Sequence, residues 1–403
     1  MAAGAAGRLV RVTHVNIVPI RRRMQPRDPH ETHRVATPLE LFFDLVFVVA
    51  IASAAAGWHH GLVEGHLGDL VGFLMVFFAI WWAWMNYTWF ASAYDCDDVA
   101  YRLLTFAIMS GSLLLAAGTP ALFATGQSGL VVAGYAVMRF AMVAMWLRAA
   151  ANHPEGRRTA LWYAGGIAGV QVLWIGRLLL DGQGVLMTTF WALVVLELLV
   201  PVLAERHGVT PFHPHHIAER YALLTIIVLG EVILAAVQAV QGALGQGRQP
   251  GLVLVIVGGL STVFSMWWLY FKRDHAVLFE GSTRATFSAG YGHYVIFAAV
   301  AATGAALAAA VDVVQGDAHT TDRVVGLAFA AAVAVYVWSL AVLHAAIDGE
   351  PRERVVGAVV GASAIAIAAV STSVGITVLL VGILLALAVA QHVWSDRATV
   401  SAG

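Results

Sequence analysis

The sequence is short of charge. Only 12% of its 403 residues are Asp, Glu, Lys or Arg, while 60% are hydrophobic and the mean hydropathy is +0.79. Soluble domains carry about 25% charged residues. A chain of this length cannot clothe itself in a polar surface from so small a supply, which excludes a soluble globular protein and points to a polytopic membrane protein. Cysteine is almost missing: Cys96 stands alone, so no intrachain disulfide and no cysteine-based metal site can form. Phosphate-cradling glycine loops, a dinucleotide fingerprint and a nucleophile elbow are missing too, which removes ATP as an energy source within the chain. The first 34 residues hold seven arginines and no apolar core, so they do not form a signal peptide. They are expected to be a basic, mostly disordered cytoplasmic arm.

What is present is a series of apolar runs of about 20 residues, the length that crosses a bilayer as a helix. Twelve are expected, over 39–58, 68–91, 99–121, 128–149, 158–180, 184–204, 216–240, 250–272, 287–311, 322–346, 353–373 and 374–394. The soft break at Ser371 to Gly375 makes the last two the hardest to separate. If the N-terminus and every second loop share one side, that side holds all of the 23 Lys and Arg residues except Arg139, Arg177, Arg248 and Arg323. The positive-inside rule then places both termini in the cytoplasm. The loops leave no room for a soluble domain. The central one, "ERHGVTPFHPHHIAER", divides the spans six and six.

The two halves resemble each other. The first opens "TPLELFFDLVFVVAIASAA" and the second "HIAERYALLTIIVLGEVILAA", each with a Glu at the entrance, Glu40 and Glu219. The next helix of each ends in a tryptophan pair, "WWAW" from Trp81 and "WWLY" from Trp267, and the third helices set Arg102 opposite His293. Repeats of six helices share one orientation. The expected fold is therefore all-α: an arm (1–34), a first repeat (35–205), a linker (206–215), a second repeat (216–394) and a short cytoplasmic tail (395–403).

Charges inside apolar helices need a reason. Glu40 has a local one. Thr37-Pro38-Leu39-Glu40 reads as a capping box, with Thr at N-cap, Pro at N1 and Glu at N3. Asp44 lies one turn deeper and requires a cation, a basic side chain or water; an ion pair and a functional role weigh equally. Glu231 lies twelve residues past Glu219, about 18 Å along a helix, near the midplane, with Gln238 on the same stripe. Arg139 is deep enough to need a carboxylate, for which Glu197 is a candidate; Gln171 is also intramembrane, and Arg177 can snorkel. Trp81 and Trp82 lie too deep for an interfacial belt, and Asn86 needs a partner. Asp95, Asp97 and Asp98 form an acidic loop that Arg102, Lys272 or Arg273 could close. The histidines of "HPHH" (213–216) read as a loop, not a metal site, and no haem spacing is evident. His293 is the histidine best placed to share a proton. Gly165-x-x-x-Gly169 and Gly357-x-x-x-Gly361 read as close-packing ridges.

The stretches "TPLELFFDLVFVVAIA", "WWAWMNYTWFASAYDCDD" and "HHIAERYALLTIIVLGE" resemble the bacterial low temperature requirement protein A family, over roughly Arg34 to Trp394. The resemblance implies a multi-pass inner-membrane protein linked to growth in the cold. It carries over Glu40, Asp44, Glu219, Arg220 and Glu231 as motif positions and no catalytic role.

The resulting expectation is a proton- or cation-linked transporter or channel-like protein rather than an enzyme. Its pathway would use Glu40, Asp44, Glu219, Arg220, Glu231, Arg139, His293, Asn86, Trp81 and Trp82, with a cytoplasmic cluster of Asp95, Asp97 and Arg102. No metal or cofactor is expected. Its partners would be the bilayer and a small molecule or ion, not nucleic acid, with homo-oligomerisation left open. Two alternatives stand beside it: a membrane-embedded enzyme of lipid or isoprenoid substrates, and a non-catalytic stress component.

Overall fold

In hydrocarbon a backbone has no water to bond, so each span must satisfy its own N–H and C=O groups, and the α-helix does this within one segment. A computed structural model shows that solution throughout. It describes residues 18–29, 31, 34–244, 250–349 and 351–402, with no strand among them. The helices are α1 (Pro38–Val63), α2 (Asp69–Tyr94), α3 (Val99–Thr125), α4 (Gly129–Asn152), α5 (Arg157–Gly176), α6 (Gln183–Ala204), α7 (Pro214–Leu244), α8 (Pro250–Phe271), the one-turn α9 (Ala276–Phe279), α10 (Thr283–Gln315), α11 (Asp322–Asp348), α12 (Pro351–Val370) and α13 (Val374–Ala402). Eleven are long and apolar enough to cross a membrane. The twelfth expected span is α5, whose first turn carries Arg157 and Arg158. It nevertheless runs alongside α6 from one end to the other. Thr159 Oγ1 donates to Gly208 O at 3.0 Å past one end of α6, and Trp174 meets Phe190 at the other end with ring centroids 5.2 Å apart. The break before α13 is real: Ser371 to Ser373 leave the helix, and Asp322 caps the restart by accepting Val374 N at 2.8 Å.

The chain alternates direction, so the starts of α1, α3, α5 and α7 gather with the ends of α2, α4 and α6 at one end of the bundle, here the arm end. Arg27 N donates to Ala93 O, Val99 N to Pro19 O, and His213 N to Ser92 Oγ, all within 3.1 Å. The other end is marked by His319 N donating to Val63 O at 2.8 Å. The described part of the arm packs against the bundle. Met24 is fully buried, and Arg22 N donates to Asp98 Oδ2 at 2.6 Å. Residues 1–17 lie outside the described residues, as do Arg248 and the side chain of Arg397, which entered the side assignment.

One helix organises the packing. α10 is buried along most of its length and touches α1, α2, α7, α8, α9, α11 and α13. Its middle, Ala298–Val311, is almost entirely small residues, so neighbouring helices can approach its backbone. Glycine ridges occur elsewhere than expected. Gly165 and Gly169 face open space, whereas a Cβ on Gly134 would lie 2.5 Å from Gly111 O, and one on Gly258 2.5 Å from the Leu379 backbone. The α3–α4 and α8–α13 contacts therefore close backbone to backbone. Gly357 and Gly361 do pack closely, against Ala341 and Trp338.

Candidate functional site

The opening of α1 explains its two acids. Thr37 Oγ1 accepts Glu40 N and Glu40 Oε2 accepts Thr37 N at 2.8 Å, the capping box the sequence predicts. Both carboxylates also face α7. Arg220 donates to Asp44 Oδ1 at 2.6 Å and Oδ2 at 3.2 Å, and its Nη1 lies 3.0 Å from Glu40 Oε1. His216, one turn earlier on α7, puts Nε2 3.2 Å from that same oxygen, and Arg34 of the arm is 3.6 Å away. Trp84 Nε1 donates to Asp44 Oδ1 at 2.7 Å. Glu40, Asp44, His216 and Arg220 are buried from solvent. The cluster thus locks α1, α2, α7 and the arm in one register. Glu219, expected in the same pathway, turns aside and accepts Ala36 N at 3.0 Å.

The acidic loop is met by four arginines, and three of them were not foreseen. Asp97 takes Arg102 as expected, at 2.7 Å. Asp98 caps α3 through Tyr101 N and accepts Arg148 Nη1 at 2.9 Å. Burial pulls the Asp98 carboxyl upward, but these donors outweigh it and hold its pKa below the ordinary value. Asp95 lies 3.9 Å from Arg34 and 4.0 Å from Arg27; burial dominates there and pushes its carboxyl up to about 6. Lys272 and Arg273 instead reach Glu353.

A second buried network joins α2, α4 and α6. Arg139 Nη2 donates to Glu197 Oε2 at 2.8 Å, the pairing the sequence suggests. Trp82 Nε1 donates to Oε2 at 2.9 Å and Tyr135 OH to Oε1 at 2.8 Å. Asn86 donates to Trp82 O at 2.8 Å. Trp81 is buried among aromatic rings, including Tyr294 with centroids 5.2 Å apart. The matching pair on α8 behaves differently: Trp267 and Trp268 are exposed on the outside of the bundle.

His293 belongs to a third group, in the second half of the chain. Tyr270 OH and His293 Nε2 lie 3.1 Å apart, and His293 Nδ1 faces Ala289 O at 2.7 Å. His275 and His344 approach through their Nε2 atoms at 3.3 Å. Burial lowers His275, outside the spans, to about 4. No group of three or more His, Cys, Asp or Glu with metal-holding geometry occurs among the described residues.

Glu231 stands apart from these networks. Half-buried on α7, it lines a cavity of about 460 Å³ between α1, α7 and α10. Ser53, Gln238 and the pair His59–Asp312, 2.6 Å apart, share its walls. Among the described residues no hydrogen bond or ion pair reaches Glu231. The cavity and the Arg220 cluster occupy opposite ends of the same α1–α7 seam. His59 and Asp312, 253 residues apart, had no signal in the sequence. His216 had one, its position four residues before Arg220 on the same helix face.

Comparison with known proteins identifies a family for the chain. The model of the family described as bacterial low temperature requirement A protein matches residues 35–389, most of the chain. A protein of Rhizobium meliloti (strain 1021), printed as uncharacterized protein RA0937, is 29% identical over 249 residues. That match covers 58% of this chain and 57% of the relative's own length.

Proposed function

This chain belongs to the bacterial low temperature requirement A protein family, and within it we propose a proton- or cation-linked transport protein of the bacterial inner membrane. The observation that carries the reading is the isolation of Glu231. The other deep carboxylates are neutralised: Glu40 and Asp44 by Arg220, and Glu197 by Arg139. Glu231 has no cation and faces a cavity wide enough for water. An ionised carboxylate without a counter-charge at membrane depth is costly, and such acids mark proton or ion pathways.

The seam supplies two ends for such exchange. Away from the arm end, the cavity brings Glu231, Gln238 and the His59–Asp312 pair along one wall. At the arm end, the Arg220 cluster closes the same helices. In this reading Asp44 and Glu40 are the closure, not free binding groups, and transport requires α1 and α7 to part there. Like-oriented sextets would supply the moving bodies. Their support is that α1 packs on α3 and α7 on α10, the equivalent pairs; the tight α8–α13 contact has no equally close counterpart between α2 and α6. The excess of arginines at the arm end supports a cytoplasmic placement for that end.

Reconstitution into liposomes tests the proposal. A pH or cation gradient should drive flux through the wild type, and Glu231→Gln should abolish it while Glu231→Asp retains part. Flux unchanged in Glu231→Gln would refute the assignment.

A further inference from the structure

A second cavity, of about 140 Å³, lies near the arm end, where the end of α2 meets α4, α5, the α6–α7 loop and the start of α10. It shares no residue with the Glu231 cavity. Six aromatic rings line it: Trp89, Trp146, Tyr163, Phe212, Phe287 and Tyr291. The single charged side chain in the wall is Glu205, and no Lys, Arg or His contributes.

Glu205 is held as an acceptor. Its Oε1 takes Tyr163 OH at 2.7 Å and Thr210 Oγ1 at 2.5 Å, and its Oε2 takes Thr210 N at 2.8 Å. These donors fix the carboxylate without neutralising it, and among the described residues no cation pairs with it. Trp146 is buried, stacks on Tyr163 with centroids 4.1 Å apart, and its Nε1–H has no acceptor among the described residues. An aromatic enclosure with one fixed negative charge attracts an organic cation, because ring faces are negative and their field acts in a dry site. The size sets a limit: an engineered cavity of ~150 Å³ takes a molecule as small as benzene.

We propose that this cavity binds a compact organic ammonium group carrying a hydroxyl or ester oxygen, as in an amino alcohol. The ammonium sits among the rings beside Glu205, and the oxygen accepts from Trp146. Free amino alcohols and amino-alcohol phospholipid headgroups share this chemistry. The site stands apart from the transport reading, since occupancy is measured without flux.

The test is calorimetric titration of the full chain in lipid-free detergent with choline, ethanolamine and 3,3-dimethyl-1-butanol, the uncharged isostere of choline. A parallel arm incorporates the protein into nanodiscs of phosphocholine or phosphoglycerol lipid and counts retained lipids by native mass spectrometry. At least one amino alcohol, free or as a headgroup, should bind tenfold or more tighter than its uncharged counterpart. Glu205→Gln and Phe287→Leu should each weaken it at least tenfold, with helical content by circular dichroism unchanged. Binding by free choline or ethanolamine assigns the site to soluble ligands; retention of phosphocholine lipid alone assigns it to headgroups. Equal binding of choline and its uncharged isostere, undiminished binding in Glu205→Gln, or no ammonium bound in either arm would overturn the proposal.

Discussion

Replacing Arg220 with methionine should cost more than neutralising the acid it holds. The guanidinium touches Asp44 at 2.6 and 3.2 Å and Glu40 at 3.0 Å, in a site closed to solvent. In Arg220→Met, Glu40 keeps His216 and Arg34, but Asp44 is left with Trp84 Nε1 alone. Stranding a buried charge in this way costs about 3–5 kcal/mol. In Asp44→Asn the amide oxygen still accepts from Trp84, and Arg220 still faces Glu40, so the loss is that of a charge-assisted hydrogen bond, about 1.5–3 kcal/mol. Adding Asp44→Asn to Arg220→Met removes the stranded charge. The double variant should therefore cost less than the two single variants added together, by ~2 kcal/mol, or roughly thirtyfold in the unfolding equilibrium. Unfolding of the micelle-solubilised protein, followed by tryptophan fluorescence, measures each corner of the cycle. Single-variant costs that add to within ~0.5 kcal/mol would refute the idea that the cluster acts as one unit.

Two further predictions follow from packing and burial. His275 is held by burial at about 4, below an unfolded value of ~6.5, so the folded chain refuses a proton that the unfolded chain accepts. Stability should fall as pH drops from about 6.5 toward 4, by at most ~1.4 kcal/mol per pH unit from this group, and His275→Gln should flatten that slope in the same unfolding assay. Gly258→Leu should separate α8 from α13, where even a Cβ meets backbone at 2.5 Å. A loss of at least ~1–3 kcal/mol is expected, whereas Gly165→Leu, facing open space, should melt within a degree or two of wild type.

Local features were legible in the sequence and long-range ones were not. The capping box at Thr37 and Glu40 needs four adjacent residues, and it is there. The helix pattern follows from apolar length, and the break at Ser371 falls where polar residues interrupt it. Arg139 was legible as needing a carboxylate, with Glu197 only one candidate, and the structure supplies the pairing. Direction of facing is different. Lipid is as apolar as a protein core, so hydropathy cannot separate the buried Trp82 from the exposed Trp267. The Gly165–Gly169 spacing matches a packing motif and still faces nothing, while Gly134 and Gly258 carry the close approaches without that spacing. Asp44 was recognisable as needing a partner, but choosing Arg220 required knowing that α1 lies against α7.

That choice has a consequence for how the protein is made. Asp44 and Arg220 are separated by 176 residues. At ~5–20 residues per second, roughly 9–35 s of synthesis divide the acid from its counter-charge. During that interval the nascent first helix carries a carboxylate with no ribosome-made cation from α7 to meet it. Its position, two turns from the helix start, lets it wait at the headgroup layer instead of in hydrocarbon. The first helix can therefore settle to full depth only when the seventh has emerged, which makes assembly of the seam a late, post-insertion event.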